Sequence, residues 1–410
     1  MIHVCFCFCD KNGRYAKFAG TSMLSLFENT KSAVTVHVLH DNTLTDENRD
    51  KFSYLAGRYN QLVNFYNVYE YCPNKIAGIK RLFPEVEKSA VTIGAFYKLL
   101  IPKILSGKIK KAVFIDPDTI VNLDINELWQ IELADKVLGV VPEIANGANA
   151  AKSFLLCSEG VVKAEDYFNG GVMLMNLGAL RGEEEKIMQG IEFRGKNPKQ
   201  KFLEQTVLNY CFSTQILKLP AKYNRFVRQE RVTEKPTVGE KIYHYVGGSS
   251  RLGLDTTDPF NRLWMDYFIK SPFFDEEVIG RFYTRIQKIR NDVKETSLNL
   301  SSLMPGKTRV FFIDPKKEAS MKKIFSIRDN EKIILAENEA SIQKLIDEMK
   351  ASNGKSVVFI LTEKFLKKKF PFDRLNNEGF TEDKDFVKAW TFLSESQGTP
   401  FDSYSIIQAL

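Results

Sequence analysis

The sequence predicts an α/β chain in two parts, a large domain on a mostly parallel sheet and a smaller α/β domain after it. Three observations predict this. Short apolar runs alternate with helix-periodic stretches through the first 245 residues. The same alternation restarts near residue 306, after a connector over 273–305 that reads as helical and ends in the polar segment 295–302. Finally, a chain of 410 residues, 44% hydrophobic and 12% aromatic, can fill two cores, which excludes disordered and low-complexity classes. The expected domains are 1–272, the connector 273–305, and 306–410.

The elements follow in chain order. Val4–Phe8 is the first strand. Cys5, Cys7 and Cys9 alternate along it and share one face, while Cys72, Cys157 and Cys211 are scattered. They read as small core residues in a reducing compartment, not as a metal or redox cluster. Phe18–Glu28 is a helix and Val34–Leu39 a second strand. Asp46–Tyr59 is a helix behind an N-cap at Thr45. Leu62–Tyr66 is a third strand, and Ile93–Ile104 carries apolar residues at helical spacing. Lys111–Ile115, Val137–Val141, Val172–Met175 and Ile216–Leu219 complete the strands of the first part. In the second part Arg309–Ile313, Lys332–Leu335 and Ser356–Leu361 are strands, and Ala340–Met349 is an amphipathic helix.

The formal net charge is +7, with 27% of residues charged. That mild basicity suits phosphates or an anionic membrane surface and falls short of a nucleic-acid-binding pattern. The segment Met1–Asp10 lacks a basic n-region, and no apolar run is long enough to span a bilayer. A cytoplasmic protein is expected.

Ligands of parallel sheets bind at the carboxyl ends of strands, so the residues after each strand matter most. Val113–Ile115 leads directly into Asp116-Pro117-Asp118. Two carboxylates one residue apart repel unless a cation lies between them, and oxygen donors of this kind suit Mn²⁺ or Mg²⁺ with substrate phosphates. The plainer alternative is a solvated turn stiffened by Pro117. Phe312-Ile313-Asp314-Pro315-Lys316 repeats the string with Lys316 in place of the second carboxylate, so that copy should bind no metal. Nucleotide-sugar transfer and the haloacid-dehalogenase type of phosphatase both use Asp-x-Asp after a strand. The phosphatase would make Asp116 its nucleophile, but its further acidic pair is missing. His244, just before Gly247-Gly248, is a third metal-ligand candidate, whereas His3, His37 and His40 read as packing or surface residues. Gly306-Lys307-Thr308 and Gly354-Lys355-Ser356 lack the earlier glycine of a phosphate-binding loop. The run 364–370, Lys-Phe-Leu-Lys-Lys-Lys-Phe, reads as a solvated helix face or as a contact with anionic lipid.

Several ordered motifs then resemble one family: Cys9-Asp10 through Tyr15, Ala95-Phe96-Tyr97-Lys98, Phe114–Asp118, Tyr167-Phe168-Asn169-Gly170-Gly171, Glu204-Gln205, Tyr223-Asn224 and His244-Tyr245-Val246-Gly247. Over roughly residues 1–268 the chain resembles glycosyltransferase family 8, retaining enzymes of the GT-A fold. The resemblance implies Mn²⁺, or Mg²⁺, on Asp116, Asp118 and His244, holding the diphosphate of a UDP-sugar donor. It implies Asp10, Asn12 and Tyr15 beside uridine, and Asn169, Gly170 and Gly247 around the donor. Gln205 and Glu204 would lie at the reacting sugar. Lys98 stands where the family often has an arginine that grips phosphate or sugar. Ser250 stands at the position of a family lysine, and Arg251 beside it would supply the missing charge. The partners implied are a UDP-sugar and a glycan acceptor, with no nucleic acid. A binder that has lost turnover is the other reading the departures allow.

Overall fold

A computed structural model describes residues 1–11, 13–84, 93–147, 154–200, 202–227, 235–246, 258–276, 278–280, 284, 306–325, 327–362, 364–365 and 368–389. These fall into two compact units, one up to Asp275 and one from Glu276 onward. The division lies three residues beyond the expected end at 272, because Phe273 and Asp275 are anchored in the first unit. The Phe273 ring packs at 4.8 Å from that of Phe52, and a Cβ on Gly20 would come within 2.1 Å of it. Asp275 pairs with Lys51 at 2.6 Å. Most of the expected connector lies outside the described residues.

The first unit is built on seven strands in the order β3-β2-β1-β4-β7-β6-β8. They are β1 (Ile2–Cys7), β2 (Val34–His40), β3 (Leu62–Asn67), β4 (Lys111–Ile115), β6 (Leu138–Pro142), β7 (Phe168–Asn176) and β8 (Ile216–Lys218). β7 runs antiparallel to β4 and β6, and every other pairing is parallel. All seven strands expected from sequence are present. β4, β6 and the short edge of β7 therefore meet at one rim, where β1, β4 and β6 end and β7 begins.

The chain then leaves β4 and enters a second, three-stranded sheet of β5 (Thr119–Asn122), β9 (Arg225–Phe226) and β10 (Lys241–His244), ordered β5-β10-β9. Helix α1 (Arg14–Asn29) packs against it through a largely buried face. Helix α2 (Asp46–Arg58) starts as expected, with the Thr45 hydroxyl accepting from the Asn48 N–H. The segment expected as a helix over Ile93–Ile104 is a 3₁₀ helix over Ile93–Leu100 followed by one α turn, Ile101–Ile104. Pro102 has no N–H to give the carbonyl of Lys98, so an α-helical ladder cannot run through it. Cys5, Cys7 and Cys9 are buried in one apolar cluster with Phe96, Phe114 and Met173, as small core residues should be.

The second unit holds a parallel sheet in the order β12-β11-β13-β16. Its strands are β11 (Thr308–Ile313), β12 (Lys332–Leu335), β13 (Ser356–Leu361) and β16 (Phe386–Val387). The helix Glu339–Ala351 covers it and is closed by a capping box between Asn338 and Ser341. Gly306 and Gly354 take positive φ just before β11 and β13, so both Gly-Lys-Thr/Ser strings open strands instead of following them. Asp314, in the repeated string, caps a short 3₁₀ turn through the Lys316 N–H. The basic run expected as a helix face is a pair of short antiparallel strands, β14 (Lys364–Phe365) and β15 (Lys368–Lys369). Pro371 biases Phe370 towards extended backbone, which disfavours a helix through the run.

Three of the four histidines lie on β1 and β2. His3 and His37 share a hydrogen bond of 3.0 Å, and His37 also meets the Tyr66 hydroxyl at 3.1 Å. Burial, with His3 as a second cause, pushes the His37 pKa down to about 4. An unfolded histidine takes up its proton near 6.5, so between about 6.5 and 4 the unfolded chain binds more protons than the folded one. Stability should therefore fall as pH drops through that window, by at most about 1.4 kcal/mol per pH unit from this residue. His37→Gln should flatten that part of a plot of unfolding free energy against pH; an unchanged slope would refute the assignment.

Candidate active site

The two sheets meet at Asp116-Pro117-Asp118. Asp116 is the last residue tied to the large sheet, its N–H donating to Gly171 O on β7 at 2.7 Å. Asp118 is the first tied to the small sheet, its carbonyl accepting from the Tyr245 N–H at 2.9 Å. In that sheet Thr119 stands opposite His244. The Thr119 hydroxyl is fixed by Asp116 O at 3.0 Å and by Ser22 of α1 at 2.7 Å. This register brings His244 Nε2 to 3.3 Å from Asp118 Oδ1 and 3.9 Å from Asp116 Oδ2. Ligand atoms of all three lie within 4.8 Å of one another, and among the described residues they form the group that could hold a metal ion. An imidazole nitrogen and two carboxylates suit Mn²⁺, and carboxylates alone suit Mg²⁺.

Lys98 occupies the floor of the site, with its side chain 3% exposed. Its ammonium donates to Asp116 Oδ1 at 3.0 Å, Glu204 Oε1 at 3.2 Å and Gly170 O at 3.2 Å. All three N–H bonds are thus used inside the protein. Burial alone would lower its pKa, but the carboxylates of Asp116 and Glu204 outweigh that and hold it above the ordinary lysine value. The nitrogen also lies 4.5 Å over the Phe114 ring. Lys98 is therefore placed to hold two acids of the site.

Glu204 and Gln205 open the helix Glu204–Phe212. That helix is pinned to β7 by Asn209, whose side chain accepts from Phe168 N–H at 2.9 Å and donates to Phe168 O at 2.8 Å. Gln205 is buried and meets Asn169 at 3.0 Å. Asn169 and Gly170 lie at the start of β7, and Gly171 beside them is closely enclosed. A Cβ there would lie 2.2 Å from His244 Cε1 and 2.6 Å from Nδ1.

Asp10, just beyond β1, is buried. Its carboxylate accepts from the Ala16 N–H at 3.0 Å and from Asn48 Nδ2 at 3.1 Å, so it caps α1 from upstream. Burial raises its pKa, and the hydrogen bonds from Ala16, Tyr15 and Asn48 oppose the shift. Tyr15, in the first turn of α1, is half-buried and meets Phe18 edge-on at 5.9 Å. Asn12, Gly247 and Arg251 lie outside the described residues, as does Ser250.

Two residues escaped sequence reading. Glu143 follows β6 at the same rim as Asp116, is buried, and accepts from Gln205 Nε2 at 3.4 Å. The rule that singled out Asp116, a carboxylate at a strand's exit, would have found it. Asn224 meets His244 Nδ1 at 2.9 Å and had no signal beyond its place in the Tyr-Asn motif.

The chain that carries this site is similar to known proteins. The model of the family described as glycosyl transferase family 8 matches residues 4–249. The chain belongs to that family, and the second unit lies outside the match. General stress protein A of Bacillus subtilis is 24% identical over 291 residues, covering 65% of this chain and 93% of that protein. A putative glycosyltransferase of Haemophilus influenzae is 25% identical over 307 residues, covering 68% and 85%. Lipopolysaccharide 1,2-glucosyltransferase of Escherichia coli is 27% identical over 218 residues, covering 52% and 60%. Among solved structures, galactosyltransferase LgtC with donor and acceptor sugar analogues aligns with a TM-score of 0.52 at 17% identity, over 68% of this chain and 99% of that one. The fold is thus the GT-A fold of glycosyltransferases.

Gly171→Ala should displace His244, weaken Mn²⁺ binding by at least about tenfold and cost about 1–3 kcal/mol of stability through the overlap with His244 and Asn169. Calorimetric titration with Mn²⁺ checks this, and unchanged affinity would contradict the close approach.

Proposed function

We propose that the protein is a metal-dependent hexosyltransferase that moves glucose or galactose from a UDP-sugar to a glycan acceptor with retention of configuration. The acceptor class is a lipopolysaccharide, cell-surface polysaccharide or glycoprotein glycan. The single observation that carries the reading is the convergence of Asp116, Asp118 and His244 where the two sheets meet. The glucosyltransferase among the relatives and the galactosyltransferase among the solved structures support a hexose donor. Family membership favours glycosyl transfer over an aspartyl phosphatase at Asp116.

Mn²⁺, or Mg²⁺, on these three side chains would neutralise the diphosphate as the glycosidic bond breaks. The chain's own residues do the rest. Lys98 fixes the carboxylates of Asp116 and Glu204 from below. Glu204 presents a partly exposed carboxylate to the sugar's hydroxyls. Gln205, held on both ends of its amide, forms a rigid polar wall at the reacting carbon. Asp10 and Tyr15, at the end of β1 and the start of α1, face the uridine, and Tyr15 offers a ring for stacking. A cytoplasmic place of action, with the paired strands β14 and β15 touching an anionic inner membrane face, fits the basic run 364–369. No helix among the described residues is long and apolar enough to cross a membrane.

UDP release from a panel of UDP-sugars, without acceptor and with Mn²⁺ or EDTA, tests the reading. Metal-dependent release from one sugar is the expected result and identifies the donor. Absence of release from every sugar, together with no UDP binding by calorimetry, would overturn it; binding without release would make the protein a non-catalytic UDP binder. Asp118→Ala should abolish release while the circular dichroism spectrum and unfolding midpoint stay near those of the parent. Near-normal release by that variant would refute the metal site.

A further inference from the structure

Beside the metal ligands, an unbroken line of side-chain amides runs from His244 to a buried carboxylate. We infer that Asn224 is a positioning residue that holds His244 as its Nδ1–H tautomer, turning the Nε2 lone pair to Asp116 and Asp118, and that it ties this ligand through Asn169 to Gln205. The inference rests on the proposed reading of Asp116, Asp118 and His244 as a metal site.

Amide oxygen and nitrogen look alike in outline, but two backbone groups settle every orientation here. A backbone N–H can only donate. The Gly171 N–H lies 2.9 Å from one side-chain atom of Asn169, so that atom is the oxygen, Oδ1. The Gly170 N–H lies 3.4 Å from one side-chain atom of Gln205, so that atom is Oε1. Asn169 Nδ2 then donates to Gln205 Oε1 at 3.0 Å, and the two assignments agree. The atom of Asn224 that lies 2.9 Å from Asn169 Oδ1 must be a donor, Nδ2. Its other side-chain atom is consequently Oδ1, and this is the atom 2.9 Å from His244 Nδ1. An amide oxygen only accepts, so Nδ1 carries the hydrogen and a neutral ring keeps its lone pair on Nε2.

Contacts within the protein hold Asn224 beside His244. Asn224 is wholly buried, and its carbonyl accepts from Asn146 Nδ2 at 2.9 Å. It directly precedes β9, where Phe226 stands opposite His244. Ladder, carbonyl and amide therefore hold the pair in register before any metal arrives. At the far end Gln205 Nε2 lies 3.4 Å from both Glu143 Oε1 and the Tyr167 hydroxyl. A change at the metal ligand thus reaches, by three hydrogen bonds, the amide that faces the donor sugar. Asn224 touches neither metal nor sugar in this scheme and acts through its neighbours.

The first test needs no variant. Long-range proton–nitrogen correlation spectra of the full-length chain, labelled with ¹⁵N-histidine and free of metal at neutral pH, distinguish the two tautomers. In the neutral ring the hydrogen is expected on Nδ1; a neutral ring with its hydrogen on Nε2 alone overturns the inference. Two substitutions then separate the arms of Asn224. Asn224→Leu removes the acceptor and should weaken Mn²⁺ binding, read from the electron paramagnetic resonance of the unbound ion, by about 10- to 100-fold. Asn224→Asp still accepts from Nδ1–H but cannot donate to Asn169. It should keep Mn²⁺ affinity within about threefold of the parent, because a carboxylate serves as well behind a metal-bound histidine. Its kcat for UDP release should nevertheless fall, which a merely structural role would not produce at constant metal affinity. Parent-like Mn²⁺ binding by Asn224→Leu overturns the positioning role. An Nδ1–H tautomer in a parent protein that binds neither Mn²⁺ nor Mg²⁺ would sink the metal reading and leave the tautomer assignment standing.

Discussion

A single buried ammonium group organises the floor of the site. Lys98 Nζ lies within hydrogen-bond distance of Asp116, Glu204 and Gly170 O, which belong to the exit of β4, the first turn of a helix, and the entry of β7. Three separate elements are thereby drawn to one point. Removing both acids would leave a buried charge without a partner, at a cost of about 3–5 kcal/mol. The tetrahedral donors of lysine match three acceptors spread around it, whereas the flat fork of arginine would pair best with one of them. The unusually long 3₁₀ segment that carries Lys98 fits the same need, since 3₁₀ runs beyond a few residues are uncommon and mark strained or functional sequence.

The other constraint is topological. One intervening residue separates Asp116 from Asp118, yet the two belong to different sheets. The large sheet sets the position of Asp116 through Gly171, and the small sheet sets Asp118 through Tyr245. His244 joins the pair because β10 is registered on β5, and it fits only because residue 171 has no side chain. The site is thus the seam between two hydrogen-bonded ladders. Pro117 sits where the chain must leave one ladder and can donate to neither.

Much of this was legible in the sequence because the signals were local. The seven strands of the large sheet and β11, β12 and β13 follow from apolar runs, whereas the short strands β5, β9, β10 and β16 carry no such run. Asp116 and Asp118 follow from reading a strand exit, and Asn169 and Glu204 from ordered motifs. What escaped was non-local. Nothing in the chain before folding shows that Lys98 would meet Glu204, or that Asn224 would lie behind His244, because these contacts depend on register between strands far apart in sequence. The 3₁₀ character of Ile93–Leu100 escaped because its apolar spacing fits an α-helix equally well; Pro102 was the overlooked cue. Glu143 follows Pro142 at the exit of β6 as Asp116 follows Ile115 at the exit of β4, since β6 runs parallel to β4 across β7. The strand pair at 364–369 was read as helix because charge runs carry no period of their own.

Charge then separates the duties of the cations on the proposed reading. Glu143, Asp116, Asp118 and Glu204 bring four acids to the rim, and a sugar diphosphate adds further negative charge. Lys98 is directed inward by its three acceptors and contributes to this balance from below, through Asp116, not by touching a phosphate. On that reading the positive charge for the leaving group would come from the metal and from the sequence that follows His244. That segment carries Ser250 where the family has a lysine and Arg251 beside it. On the proposed reading, Arg251 is the residue that would supply this charge. A planar guanidinium can bind two phosphate oxygens at once, a grip of different shape from that of a lysine.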